Sequence, residues 1–306
     1  MPFQVTILGS SGALPAYGRF PSSQYLNINQ SHFLIDCGEG VQMQLKKFSV
    51  PFHKIDRIFI SHLHGDHYLG LMGLLFSMHL LKRTADLHLY SQKGLDEIIT
   101  LQLKYSRSAL NFKIVFHQVP YPESSLLYED DSIAIRSFPL VHKIPCTGFL
   151  FSEKIKPRRI DKDKITEGMR LQHIALLKQG KDVVNEDGTL LYKNKDYTLD
   201  PRPSYSYAYC SDTAYSPELL KHINGVDLLY HEATFTRDHE DKAIETLHST
   251  ASQAGRIAKD AGAKNLIIGH FSARYKELEP LLAEAKTEFQ STHLAIEGET
   301  FDLERL

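Results

Sequence analysis

The chain has 306 residues, 42% apolar and 24% charged, with a net charge of −2. That length supports a full core, as two average domains or one large α/β domain, and the near-neutral balance excludes nucleic-acid binding through net charge alone. Cys37, Cys146 and Cys210 lie far apart with no CxxC pair, so buried thiols are expected rather than a disulfide framework or a thiolate metal site.

The opening MPFQVTILGSSG reads as a strand and a glycine turn, without the basic and apolar regions of a signal peptide. Strands are predicted at Phe3–Leu8, Gln24–Asn29 and His32–Asp36, with a hairpin at Asn29-Gln30. A helix over Glu39–Phe48 follows, then a short strand Arg57–Ile60 that runs into SHLHGDH. Leu69–Leu81 is apolar but shorter than the ~18 residues of a membrane span, and reads as a buried helix. Further strands are predicted at Leu87–Tyr90, Lys113–Gln118 and Ile133–Pro139, with a helix over Lys93–Arg107.

Residues 153–203 differ in texture. They hold 12 Lys or Arg against 9 Asp or Glu, a net of +3, with few periodic apolar positions. This segment reads as an inserted arm, either a binding element or a solvated excursion. Beyond it come strands at Ser206–Cys210 and Val226–His231, a helix at Ser249–Asp260, a strand at Asn265–Gly269, a helix near Leu278–Phe289 and a final strand. Strands alternating with helices in both halves predict two β-sheets packed face to face with helices outside, and a site along the strand ends. A cytoplasmic protein outside the membrane is expected.

The chemistry concentrates in Ser61-His62-Leu63-His64-Gly65-Asp66-His67. His62 and His64 point the same way if extended, and Gly65 lets the backbone turn so that Asp66 and His67 face a second point. Imidazole and carboxylate suit zinc. One loop cannot close two metal shells, and His142, Asp212 and His270, each just after a predicted strand, are the candidates to complete them.

At these residues the sequence resembles the metallo-β-lactamase superfamily, whose signature is the HxHxDH run. Within it, LGSSGALP, His231-Glu232-Ala233-Thr234 and His248-Ser249-Thr250 resemble the ribonuclease Z family, endonucleases that mature transfer RNA 3′ ends. The resemblance implies an α/β fold, the metallo-β-lactamase-like αβ/βα sandwich of two facing mixed sheets with outer helices, as a single domain over 1–306 with the arm at 153–203 as an RNA-binding exosite. It further implies two zinc ions per chain, one held by His62, His64 and His142, the other by Asp66, His67 and His270, with Asp212 bridging. His248 is implied as a proton donor oriented by Glu232, Asp66 as a possible partner of the nucleophilic water, precursor transfer RNA as substrate, and a homodimer as the assembly.

Three departures accompany the resemblance. Pro15-Ala16-Tyr17-Gly18-Arg19-Phe20-Pro21 lacks the Lys and Asn usual in that loop, which in relatives are associated with rejecting transfer RNA that ends in CCA. Tyr17 and Phe20 stand there instead, either to stack on bases or to pack the loop. Ser211 replaces a common Gly, and the arm lacks the usual Gly-Pro-rich core, although Lys154, Lys156, Arg158, Arg159, Lys162 and Lys164 crowd its base. Two other readings of the chain are a phosphodiesterase for small substrates and a non-catalytic RNA-binding relative. The absence of an export signal disfavours a β-lactamase, and His64, where Glu is usual, disfavours a flavin-linked di-iron oxidoreductase.

Overall fold

A computed structural model describes residues 2–306. They form two compact units, a body of residues 2–128, 135–151 and 206–306, and an arm of 129–134 and 152–205. The body contains β1 (Phe3–Gly9), β2 (Ser23–Ile28), β3 (Ser31–Ile35), β4 (Arg57–Phe59), β5 (Leu87–Ser91) and β6 (Ile114–Gln118). It continues through β7 (Ser125–Glu129), β8 (Ile133–Leu140) and β9 (Cys146–Glu153), each of which has one end in the arm. The arm holds β10 (Arg159–Ile160), β11 (Val183–Val184), β12 (Leu190–Tyr192) and β13 (Thr198–Leu199). After it come β14 (Ser206–Cys210), β15 (Leu228–Glu232), β16 (Asn265–Gly269), β17 (Thr292–Leu294) and β18 (Thr300–Asp302).

Two seven-stranded sheets result, ordered β18-β1-β2-β3-β4-β5-β6 and β17-β16-β15-β14-β9-β8-β7. Both mix directions: β1–β2–β3 are antiparallel while β3 to β6 and β14 to β17 are parallel. The inner faces meet through aromatic rings, with Phe33 and Phe59 of one sheet 5.7 and 5.4 Å from Phe151 and Phe149 of the other. Asn29 and Gln30 both take positive φ between β2 and β3, the two-residue hairpin geometry matched to strand twist.

Several elements differ from the sequence reading. The helix predicted over Leu69–Leu81 spans Leu71–Leu80 and buries only one face, through Leu71, Leu74, Leu75 and Met78, whereas Leu69, Leu80 and Leu81 are 60–75% exposed. Apolar content there serves a surface as well as a core. Helix Ala251–Asp260 starts two residues later than predicted, because Thr250 rather than Ser249 caps it in a reciprocal pair with Gln253. Strands β7 and β9 were not legible. In β9 Thr147 and Gly148 interrupt the apolar run, yet Gly148 is required, since a Cβ would stand 2.3 Å from Phe138. All three cysteines are buried and free, and among the described residues no helix is long and apolar enough to cross a membrane.

Candidate metal centre

The parallel strands of both sheets end at one edge, and the loops leaving them carry the polar side chains. β4 leads into His62, after which His64 precedes a short helix, Gly65–Tyr68, that holds Asp66 and His67. Gly65 thus begins a helix, a tighter device than the open turn expected of it. β8 leads to His142, β14 to Asp212 and β16 to His270, while Glu232 ends β15.

The seven residues converge into a set of His62, His64, His142 and Asp212 and a set of Asp66, His67 and His270, and Asp212 also lies beside His67 and His270. In one, His62 Nε2 lies 3.0 Å and His142 Nε2 3.2 Å from His64 Nδ1, and Asp212 Oδ2 stands 3.6 and 3.8 Å from the His62 and His142 nitrogens. In the other, His67 Nε2 and His270 Nε2 lie 3.4 and 3.3 Å from Asp66 Oδ2 and 3.3 and 3.2 Å from Asp212 Oδ1. Zinc bonds of about 2.0–2.1 Å in a tetrahedron place ligand atoms about 3.3–3.4 Å apart. The second set has that spacing to within about 0.2 Å, and the distances of the first, 3.0–3.8 Å, fall on either side of it. The buried Nε2 of His67 has no hydrogen-bond partner, and an acceptor nitrogen facing carboxylate oxygens is the arrangement that a cation between them resolves. The donor chemistry of the two sets fits divalent metal binding.

Partners behind the rings fix which nitrogen faces inward. Nδ1 of His67 is 2.8 Å from Asp36 Oδ2, that of His142 is 3.0 Å from the Leu247 carbonyl, and that of His270 is 2.9 Å from Thr234 Oγ1. Asp36 follows β3 and is fully buried, accepting from Ser61 N and Oγ and from Tyr209 OH. Sequence reading placed it at a strand end without a role; its carboxylate after FLI was the available signal. The LGSSGALP loop also touches the site. Ala13 N donates to Asp66 Oδ2 at 2.8 Å, and a Cβ on Gly12 would meet the His270 ring at 2.7 Å.

Electrostatics follow the same layout. Burial opposes charge on His67, but Asp66, Asp212 and Asp36 outweigh it and raise its pKa well above the usual imidazole value. Burial also opposes ionisation of Asp66 and Asp212, yet the surrounding imidazoles hold both below the usual carboxylate range. His62, buried and beside His67, is lowered. A bound cation would take over the role of that proton on His67.

Beside the clusters, the His248 ring stacks on that of His270 at 5.4 Å and lies tilted against that of His142 at 5.0 Å. Its Nδ1 is 2.8 Å from Glu232 Oε1, which also accepts from Thr213 N, while Oε2 accepts from Thr234 N and Oγ1. Burial lowers the His248 pKa, but the charge and hydrogen bond of Glu232 raise it to about 9. The two short motifs thus have physical content. Glu232 holds His248, Thr234 links that carboxylate to His270, Ser249 Oγ donates to the Thr213 carbonyl, and Thr250 starts a helix.

Residues 3–175 match the family model described as Anti-Pycsar protein Apyc1, and residues 196–271 match the Beta-lactamase superfamily domain. The ribonuclease Z of Bacteroides fragilis is 46% identical to this chain over 297 residues, covering 97% of each. That of Cytophaga hutchinsonii is 46% identical over 301 residues, 98% of this chain and 96% of its own. The chain belongs to the ribonuclease Z family. It shares with the Apyc1 family the half that carries His62 to His142. Its metallo-β-lactamase fold matches the crystal structure of human tRNase Z, short form, at a TM-score of 0.71 and 27% identity, covering 98% of this chain and 99% of that one.

Among ribonuclease Z features, the loop departure resolves unevenly. Phe20 packs over Gly40, where a Cβ would meet its ring at 2.5 Å, so this ring packs the loop. Tyr17 is exposed beside the Arg19 guanidinium, 5.3 Å from its ring centroid.

Proposed function

We propose that the chain is a zinc-dependent endoribonuclease that hydrolyses the phosphodiester at the 3′ end of precursor transfer RNA in the cytoplasm. The products are a 3′-hydroxyl on the transfer RNA and a 5′-phosphate on the trailer. The observation that carries this reading is His248, held by buried Glu232 and set against a ring from each ligand set, stacked on His270 and tilted against His142. Zinc at both sets would supply an activated water and a clamp on the phosphate. The residues' own tasks follow from their places. His62, His64 and His142 form one set, Asp66, His67 and His270 the other, and Asp212 spans them. His248 donates a proton to the leaving 3′ oxygen as the P–O bond breaks, and Glu232 keeps it charged at neutral pH. Asp66, its Oδ2 fixed by Ala13, is placed to orient the attacking water.

Metal content tests the centre. Chelator-stripped protein reloaded with zinc should approach two ions per chain, and Asp66→Ala should lower that value. A stable single ion, unchanged by Asp66→Ala, would overturn the two-site reading.

The arm supplies RNA docking in this proposal. Lys154, Lys156, Arg158 and Lys164 pair with Glu129, Glu153, Asp200 and Asp161, so the patch at its base is partly neutralised. Lys162, Lys178 and Lys181 have no carboxylate partner among the described residues, and a groove lined by Ile155, Leu171 and Lys178 lies within the arm. Replacing 153–203 by a short Gly-Ser loop should weaken precursor binding and flatten its salt dependence, since phosphate contacts release counterions. Hydrolysis of a small phosphodiester should survive. Unaltered RNA cleavage after the deletion would remove the docking role.

A homodimer accords with an exposed apolar strip on the body. Met43, Leu69, Leu80 and Leu81 stand out of helices Val41–Lys47 and Leu71–Leu80 and their ends, along two grooves that share Gln42 and Met43.

A further inference from the structure

Beneath the two ligand sets lies a chain of buried hydroxyls that the reaction above does not use. Ser61 and Ser211 are buried, and their Oγ atoms are 3.1 Å apart. Ser61 Oγ is 2.9 Å from Asp36 Oδ2 and 3.1 Å from His62 Nδ1. Ser211 Oγ reaches Asp212 Oδ1 at 3.3 Å. Proton counting orders the chain. Asp36 accepts only, so the single Ser61 proton goes to it, and Ser61 Oγ can then only accept from Ser211 and from His62 Nδ1. The Ser211 proton is therefore directed at Ser61 Oγ, the Tyr209 hydroxyl or Asp212 Oδ1, of which Asp212 is the carboxylate.

Asp212 Oδ1 is the oxygen that faces His67 and His270, while Oδ2 faces His62 and His142. Ser211 reaches the Asp212 oxygen that faces His67 and His270, so freeing that oxygen loosens the carboxylate on their side. We propose that Ser211 is a positioning residue which locks the Asp212 carboxylate in its bridging rotation, and that it selectively strengthens the site of Asp66, His67 and His270. Through Ser61 the same hydroxyl ties that carboxylate to the His62 ring and to Asp36 behind His67. The ligands are thus braced against one another as well as against the fold. This proposal rests on the two-metal reading.

Residues that orient metal ligands typically contribute about 10–100-fold to affinity. The experiment is competition titration of chelator-stripped protein with zinc and a zinc-binding dye, on the parent, Ser211→Ala, Ser211→Thr and Asp212→Asn. Ser211→Ala should weaken one of the two zinc sites about 10–100-fold and leave the other within about threefold. Ser211→Thr, which keeps the hydroxyl, should restore the parent pattern. Melting of the metal-free proteins separates this from a packing defect, because Ala fits in the space of Ser and should leave that transition nearly unmoved. Parent-like affinities at both sites in Ser211→Ala, with Asp212→Asn impaired, would overturn the role of Ser211 and leave the metal reading intact. Fewer than two zinc ions in the parent itself would overturn the metal reading instead. Equal weakening of both sites in Ser211→Ala, with a lowered metal-free melting point, would mark a structural role and also overturn the proposal.

Discussion

Asp212→Ala is expected to abolish zinc retention at both sites and, with it, RNA cleavage. Asp212 is the one side chain with an oxygen toward each ligand set, and it is almost wholly buried. Asp66, on one side, would be the carboxylate left to offset two cations, and with none between them these would repel across the site. Metal-assisted hydrolysis draws several kcal/mol from charge stabilisation and water activation, so turnover should fall on the order of 10³-fold or more. Metal analysis beside single-turnover cleavage of precursor transfer RNA checks this. Two retained zinc ions with ordinary turnover would remove Asp212 from its bridging role.

His248→Ala and Glu232→Gln test the proton donor. General acid catalysis contributes about 10²–10⁴-fold, and loss of His248 should lower turnover by an amount in that range while RNA affinity changes little. Glu232→Gln acts differently, through pH. With Glu232 the His248 pKa is raised to about 9, so the protonated donor persists through neutral pH and is lost as pH rises through that value. Without the carboxylate the largest raising influences are gone, and burial, which lowers the imidazole, is opposed by the lesser pull of Asp212 and Asp66. The alkaline limb of the pH–rate profile should therefore move to lower pH in Glu232→Gln. Two bound dications would shift both limbs downward together, so the displacement between parent and variant is the quantity to read. The single substitutions should be non-additive, because they disable one unit. Superimposable limbs in parent and Glu232→Gln would show that Glu232 does not set the charge of His248.

Much of the centre could be read from the sequence because its ligands obey local rules. His62 to His67 sit in one short run after an apolar strand, and His142, Asp212 and His270 each follow one. The parallel strands do the rest, since adjacent parallel strands end at the same edge. What escaped was whatever depends on the far side of a residue. Asp36 and Thr234 reach His67 and His270 from other strands, and no spacing rule connects either pair. The helix Leu71–Leu80 shows the same limit, because composition cannot say which half of an apolar segment meets the core. The arm was marked by composition alone. Its ion pairs, which temper the basic patch, depend on Glu129 and Asp200 at its two ends.

The contact between the LGSSGALP loop and the metal centre bears on how the molecule is assembled. Ala13 and His270 both hold left-handed backbone, at φ of 60° and 59°, which costs a residue with a Cβ about 1–2 kcal/mol each. Such geometry persists only where the surrounding structure imposes it. Asp66 and His270 are 204 positions apart, and closing a span of that length is among the slower events available to a chain. An emerging polypeptide can gather His62 and His64 early, but it has no complete cradle until β16 docks and delivers its histidine. Zinc captured at that moment would act as a clasp, joining the first sheet to the second and favouring the closed form by mass action. The centre proposed to perform the chemistry would thereby also fasten the first sheet to the second, and a chain interrupted before β16 would have neither.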